Sequence, residues 1–261
     1  MMSVDRLLEI IEEIAAGRYS NDIMDLTRED QPEPVRAIAE AMGLMMVKVE
    51  AREYRLELMV KELESLNEQI RQNTINAVSA MANALGARDA YTEGHAERVA
   101  NLAVQVAREL GMLEKEVEYV RLGGMLHDIG KIGFSDRLFT PHEAKNPPHM
   151  VKEIMSHPTT GVNILQTLDF LGPAISYVHC HHERPDGKGY PRGLTDKEIP
   201  LGAKILAVAD AYDAMTTDRP YQKGKSPDVA LGILKEHAGT KWDRKCVAAF
   251  EAVLNASRQA P

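Results

Sequence analysis

Apolar positions recur along most of this chain at helical spacing, with no convincing strand-like alternation, so the expected fold class is all-α. Leu7, Leu8, Ile10, Ile11 and Ile14 share one side of a short helix that should stop at Ala16-Gly17, where glycine suits a C-cap. A polar connector from Arg18 to Pro34 follows, carrying Ile23 and Leu26 as isolated apolar anchors. A longer helix is expected to start near Glu33-Pro34, because proline is tolerated in a first turn. Along it Ile38, Met42, Met45, Val49, Arg52, Leu56, Met59, Leu63, Leu66, Ile70, Asn73, Ala77, Ala80 and Ala84 alternate steps of four and three, the ~3.5-residue repeat of a coiled coil. Arg52 and Asn73 interrupt that seam, and a polar residue there sets register and strand number at some cost in stability. A repeat this long favours a parallel homodimer over the other reading, one face of a long helix packed on its own domain.

Beyond the seam, helical patterns of ordinary length take over: a small-residue stretch from Ala77 to Ala87, then Glu93 to Leu110 with Gly111 as its stop, then Lys115 to Asp128. The stretch from Gly133 to Pro148 contains Pro141, Pro147 and Pro148 and reads as an irregular loop able to act as a lid. A short helix, a connector and a helix running into a coiled coil resemble a HAMP domain followed by a signalling helix. Glu33-Pro34 and the Ile38, Met42, Met45 pattern carry that resemblance over roughly residues 1–53, although the usual preceding membrane helix is missing. It implies a segment that relays an input to the C-terminal part of the chain; a plain dimerisation stalk is the alternative.

Composition narrows the compartment and the partners. With 44% hydrophobic and 27% charged residues the chain has the make-up of an ordinary soluble protein. Its net charge of −8 argues against broad binding to nucleic acid or an anionic membrane, which needs clustered cations, but leaves a small phosphate ligand open. Cys180 and Cys246 fit neither a paired metal spacing nor a disulfide framework, which points to the reducing cytoplasm. No apolar run is long enough to span a membrane, and the start lacks a signal-peptide charge pattern.

The candidate chemistry centres on His127-Asp128-Ile129-Gly130-Lys131. A neutral imidazole beside a carboxylate offers the two ligand types that a borderline divalent metal accepts together. His95, His157, His181, His182 and Asp210 keep it company, whereas His142, His149, His179 and His237 read as surface or packing residues. His157-Pro158 is expected to begin a helix, and His181-His182 lead into a stretch too rich in glycine and proline to be helical. Asp210 falls in the apolar helix Ala207 to Met215, where a carboxylate is costly unless paired or metal-bound. Trp242 and Phe250 read as core.

His127-Asp128 with Gly130-Lys131, the run from His181-His182-Glu183-Arg184-Pro185-Asp186-Gly187-Lys188-Gly189-Tyr190-Pro191, and Asp210 followed by Thr217-Asp218-Arg219-Pro220-Tyr221 together resemble the HD-GYP family. This is a branch of the HD metal-dependent phosphohydrolases, and the match covers about residues 73–261. The resemblance implies a helical domain with an iron or manganese centre that hydrolyses cyclic di-GMP to pGpG, GMP or both. Carried over by position, the metal ligands would be His95, His127, Asp128, His157, His181, His182 and Asp210, with Asp128 bridging two ions. Trinuclear members carry a glutamate at the position of Tyr91, so two ions are expected here, with Glu93 close by in sequence. Two cations roughly 3.5 to 4 Å apart can hold a hydroxide between them and stabilise charge on the attacking and leaving oxygens.

Lys131 is placed to contact a phosphate oxygen, and Arg219 could clamp a second phosphate, where Gln222 replaces a frequent family cation and Lys223 is a substitute. Arg184 and Tyr190 complete the candidate substrate contacts, and Glu183 and Asp186 are expected to orient ligands. The family associates the Gly189-Tyr190-Pro191 loop with diguanylate cyclase (GGDEF) partners; a rigid turn that positions His181 and His182 explains it equally well. The domain plan is then a HAMP-like segment over 1–53, a signalling helix over 54–72 and an HD-GYP domain over 73–261. The alternatives are another cyclic dinucleotide, such as cyclic GMP-AMP, or a non-enzymatic metal-bound signalling module.

Overall fold

The computed structural model describes residues 2–18, 21–86, 94–139, 147–218 and 223–259. Tyr91, Glu93, His142, Arg219 and Gln222 lie outside these. The described residues form helices and turns, with two isolated bridges in place of any strand. The chain divides into two compact units, Met1–Gln72 and Asn73–Pro261.

In the first unit, α1 (Met2–Ala15) ends where Gly17 adopts φ 75°, a left-handed turn that an L side chain resists. The connector then winds into a 3-10 helix, Asn21–Thr27, which the sequence pattern did not foresee. Two of its apolar residues, Ile23 and Leu26, are buried with Leu7, Ile10, Val35, Ala39 and Met46 in a small core. The long helix α2 (Glu33–Gly86) is continuous over 54 residues, so the small-residue stretch after Ala77 is its last turns and not a separate helix. Residues 51–70 are exposed, including the seam positions Leu56, Met59, Leu63, Leu66 and Ile70.

The second unit takes in the end of α2. Ile75, on a face other than the seam, is buried against Leu122, Leu126, Ile129, Leu165 and Val178. There follow α3 (His95–Glu109), α4 (Glu114–Leu126), the 3-10 turns Ile129–Gly133 and Asp136–Phe139, and α5 (Pro148–Leu165). After the 3-10 turn Asp169–Leu171 come α6 (Ala174–Cys180), α7 (Leu201–Thr216), α8 (Pro227–Glu236) and α9 (Arg244–Gln259). The largest core gathers Val99, Val106, Val120, Leu206, Leu234 and Phe250 from α3, α4, α7, α8 and α9. Both cysteines are buried and free. No helix among the described residues is long and apolar enough to cross a membrane.

His157 does not begin a helix: it and Pro158 lie inside α5, both buried. Proline at this place removes the N–H that would bond the Ile154 carbonyl. The His157 ring takes up that carbonyl instead, with Nδ1 at 2.7 Å from the Ile154 oxygen, which compensates the break and aims the ring. Gly130 meets the same turn from outside, since a Cβ there would collide with the His157 carbonyl oxygen and the Gly161 nitrogen.

Candidate metal centre

Five helices deliver the seven side chains singled out by the motif. His95 opens α3, His127 and Asp128 follow the last turn of α4, His157 sits inside α5, His181 and His182 follow α6, and Asp210 lies within α7. Two groups have ligand atoms all within 4.8 Å of one another: His95, His127 and Asp128, and His157, His181 and His182. Asp128 joins them. Its Oδ2 lies 3.3 Å from His127 Nε2 and 3.8 Å from His95 Nε2, while Oδ1 lies 3.5 Å from His157 Nε2. Asp210 Oδ1 closes the first group at 3.3 Å from His95 Nε2 and 4.0 Å from His127 Nε2. The rings of His181 and His182 are 4.0 Å apart between centroids.

The tautomers follow from the partners of the other ring nitrogens. Nδ1 of His127 faces the Gly124 carbonyl at 2.7 Å, and Nδ1 of His181 faces that of Val178 at 2.6 Å, as His157 does that of Ile154. A carbonyl only accepts, so each Nδ1 carries the proton and each Nε2 presents a lone pair to the centre. His157 Nε2 and His181 Nε2, 3.3 Å apart, are then two lone pairs facing each other and not a hydrogen bond. His127 Nε2 is buried without a hydrogen-bond partner, and the Asp128 oxygen beside it is another acceptor. A buried acceptor left unmet costs about 1–3 kcal/mol. Three imidazole lone pairs converging beside two carboxylates fit divalent cations.

Charge states agree. Burial holds His157 down at about 4, and it lowers His181 and His182 as well, so these rings are neutral, as ligands must be. Burial opposes ionisation of Asp128, but the Lys131 ammonium favours it and the carboxyl stays low. Burial likewise opposes ionisation of Asp210, and the hydrogen bond with His95 works the other way and keeps it low. At His95 burial works against protonation, yet the hydrogen bonds to Asp210 and Asp213 prevail and raise the ring to about 9.

Asp213 is the residue that the motif reading missed. Its Oδ2 accepts from His95 Nδ1 at 2.7 Å, and its Oδ1 accepts from Arg98 Nε at 2.7 Å. The signal was present as spacing: His95 and Arg98 on α3, and Asp210 and Asp213 on α7, are each three residues apart and so share a helix face. Glu183 and Asp186 do not orient imidazoles as expected. Glu183 accepts the Arg192 and Leu194 backbone N–H groups at 2.7 and 2.8 Å, and Asp186 is paired with Arg184. These carboxylates shape the loop, which also donates from the Tyr190 N–H to the His182 carbonyl at 3.2 Å. The Tyr190 ring is thereby stacked on His182, 4.8 Å between centroids at 30°, ahead of a cis bond to Pro191. Burial raises the Tyr190 phenol, keeping it a protonated donor. Lys131 Nζ lies 2.6 Å from Asp128 Oδ2.

A cavity of about 340 Å³ opens beside His181, His182 and Asp210, bordered by the loop and by Trp242. Trp242 therefore stands at the edge of the core and not inside it.

Comparison with known proteins agrees with this geometry. The family model described as HD domain matches residues 79–246. The cyclic di-GMP phosphodiesterase response regulator RpfG of Xanthomonas campestris is 32% identical over 86% of this chain and 60% of its own length. A cyclic di-GMP phosphodiesterase of Thermotoga maritima is 40% identical over 62% of this chain and 45% of its own. The chain thus spans between under half and three fifths of these relatives. A crystal structure of a cyclic GMP-AMP specific phosphodiesterase of V. cholerae superposes with a TM-score of 0.57 at 19% identity, covering 70% of this chain and 49% of that one, which shows the shared fold. Spaced ligands converging on one centre, the loop that follows the histidine doublet and these matches lead to one conclusion: the chain belongs to the HD domain family, in its HD-GYP branch.

Proposed function

We propose that this chain is a cyclic di-GMP phosphodiesterase, releasing pGpG, GMP or both, with a two-ion centre of iron or manganese. The observation that carries the reading is Asp128, whose two oxygens face two separate imidazole groups as a bridging carboxylate would. His95, His127 and Asp210 would complete one ion's ligands, and His157, His181 and His182 the other's. Mixed nitrogen and oxygen donors suit iron and manganese, and the cations when bound supply Lewis-acid activation of water and of the phosphodiester.

The chain's own groups do the rest. Lys131, whose ammonium lies beside Asp128, would hold a non-bridging phosphate oxygen of the substrate. The stacked Tyr190 offers a phenol donor and a ring at the edge of the centre. Arg184, paired with Asp186, is among the residues lining the cavity, and Arg219, outside the described residues, is the candidate for a second phosphate.

Regulation belongs to the same proposal. The exposed seam supports a parallel homodimer, since Leu56, Leu63 and Leu66 are each at least half exposed in the single chain. Residues 1–53 would act as a HAMP-like input and 54–72 as a signalling helix, with a GGDEF domain docking on the Tyr190 loop in the cytoplasm.

Anaerobic purification, metal analysis and a panel of cyclic di-GMP, cyclic GMP-AMP and cyclic di-AMP test the reading. The expected result is hydrolysis of cyclic di-GMP that chelation abolishes and manganese or iron restores. A protein carrying two ions per chain that leaves every cyclic dinucleotide intact would overturn it.

A further inference from the structure

The cavity beside the metal centre has a lining of mixed chemistry. The proposed ligands His181, His182 and Asp210 share it with Trp242, Lys241 and Lys188, and with the small apolar Ala207 and Ala211 of α7. At about 340 Å³ the space lies at the low end of the roughly 300–1,000 Å³ of ligand sites, enough for one nucleoside but not for a whole cyclic dinucleotide.

Trp242 is held in place by the chain around it. The Gly239 N–H donates to the Trp242 carbonyl at 2.6 Å, and the Thr240 carbonyl accepts from the Asp186 N–H at 3.2 Å, fastening this turn to the loop that carries Tyr190. The Lys241 ammonium lies 5.9 Å from the Trp242 ring centre. Packing at the rim of the core accounts for an aromatic residue here. It does not account for that residue sharing a cavity with two lysines and the histidine doublet.

We infer that Trp242 and Lys241, with Lys188, form a guanine subsite that holds one base of the substrate while the phosphodiester lies at the metals. The inference rests on the proposed phosphodiesterase reading and extends it to a specificity-determining pair. A flat indole in a lining that also holds small apolar side chains suits a stacked base, and stacking of this kind is tolerant of base identity. The lysines supply the discrimination. Guanine presents two adjacent acceptors, N7 and O6, which an ammonium can satisfy together, whereas adenine places an amino donor beside its N7. Cyclic di-GMP and cyclic GMP-AMP both contain the required base, and cyclic di-AMP does not.

Trp242 is the single tryptophan of the chain, so its fluorescence reports on this place alone. Titration of the metal-loaded full chain with GMP is expected to quench it saturably, and AMP is expected to bind more weakly. In steady-state hydrolysis of cyclic di-GMP, Trp242→Ala is expected to raise KM about tenfold, with a smaller change in kcat, and Trp242→Phe to restore most of the affinity. Lys241→Gln is expected to narrow the preference for GMP over AMP. If the alanine variant does not fold, the wild-type titration and the phenylalanine and glutamine variants still decide. Wild-type hydrolysis with fluorescence indifferent to GMP and KM unmoved by Trp242 variants overturns the subsite. Quenching by GMP in a protein that hydrolyses no cyclic dinucleotide instead upholds the subsite and removes the phosphodiesterase reading.

Discussion

His95 concentrates the chemistry of the centre in one ring. Its Nδ1 is fixed by Asp213 while its Nε2 faces Asp210, so a proton or a cation, but not both, can occupy the inner position. With the ring at about 9 in the metal-free protein, metal uptake near neutral pH must release that proton. Apparent metal affinity is therefore expected to rise as pH increases toward about 9 and to level off above it, with proton release vanishing there; calorimetry in buffers of different ionisation heat measures both. Asp213→Asn removes one of the two carboxylates that raise the ring, so the levelling-off should move to lower pH. Loss of such an orienting acceptor typically weakens metal binding about 10- to 100-fold. Metal affinity and pH dependence unchanged in this variant would show that Asp213 does no more than anchor Arg98.

At the scale of elements, three of the imidazoles owe their aim to their own helix or turn. His127, His157 and His181 each donate to the carbonyl three residues earlier, so the local helix sets the ring and the tertiary fold only has to bring the helices together. The turn Ile129–Gly133 reaches α5 so closely that only glycine fits at 130. Gly130→Ala must push this turn off the His157 carbonyl. Because the obstacle is backbone and cannot rotate aside, the expected loss is near the upper end of overpacking costs, about 3 kcal/mol, read from the denaturant midpoint. Metal content should fall with it, since Asp128 and His157 part. A midpoint and metal content equal to wild type would refute that close approach.

For the whole molecule, the long helix presents two faces with different destinies. Ile75 is buried in the second unit, whereas the seam from Leu56 to Ile70 is exposed along its length. If that seam is a dimer interface, Leu63→Lys removes an apolar side chain from each copy and inserts a charge. At about 1.5 kcal/mol for each leucine, the dimer dissociation constant should rise on the order of a hundredfold. Sedimentation velocity measures this, and circular dichroism checks that helicity persists; a wild-type chain monomeric at high concentration would end the dimer reading.

Periodicity was enough to read the all-α class and the helix that begins at Glu33, and the resemblance to the HD-GYP family pointed to the residues that converge on the centre. These are local properties, written in the order of side chains and in the glycines and prolines that punctuate them. What the fold alone decided is what depends on distant segments meeting. Pro158 could be tolerated inside α5 only because His157 takes the freed carbonyl. Asp213 became an anchor because α7 crosses beside α3, Glu183 became a loop clamp because the chain returns at Arg192 and Leu194, and Trp242 moved from presumed core to cavity wall. Hydrogen bonds and cavities are short-ranged in space and indifferent to distance along the chain, so no window of sequence contains them.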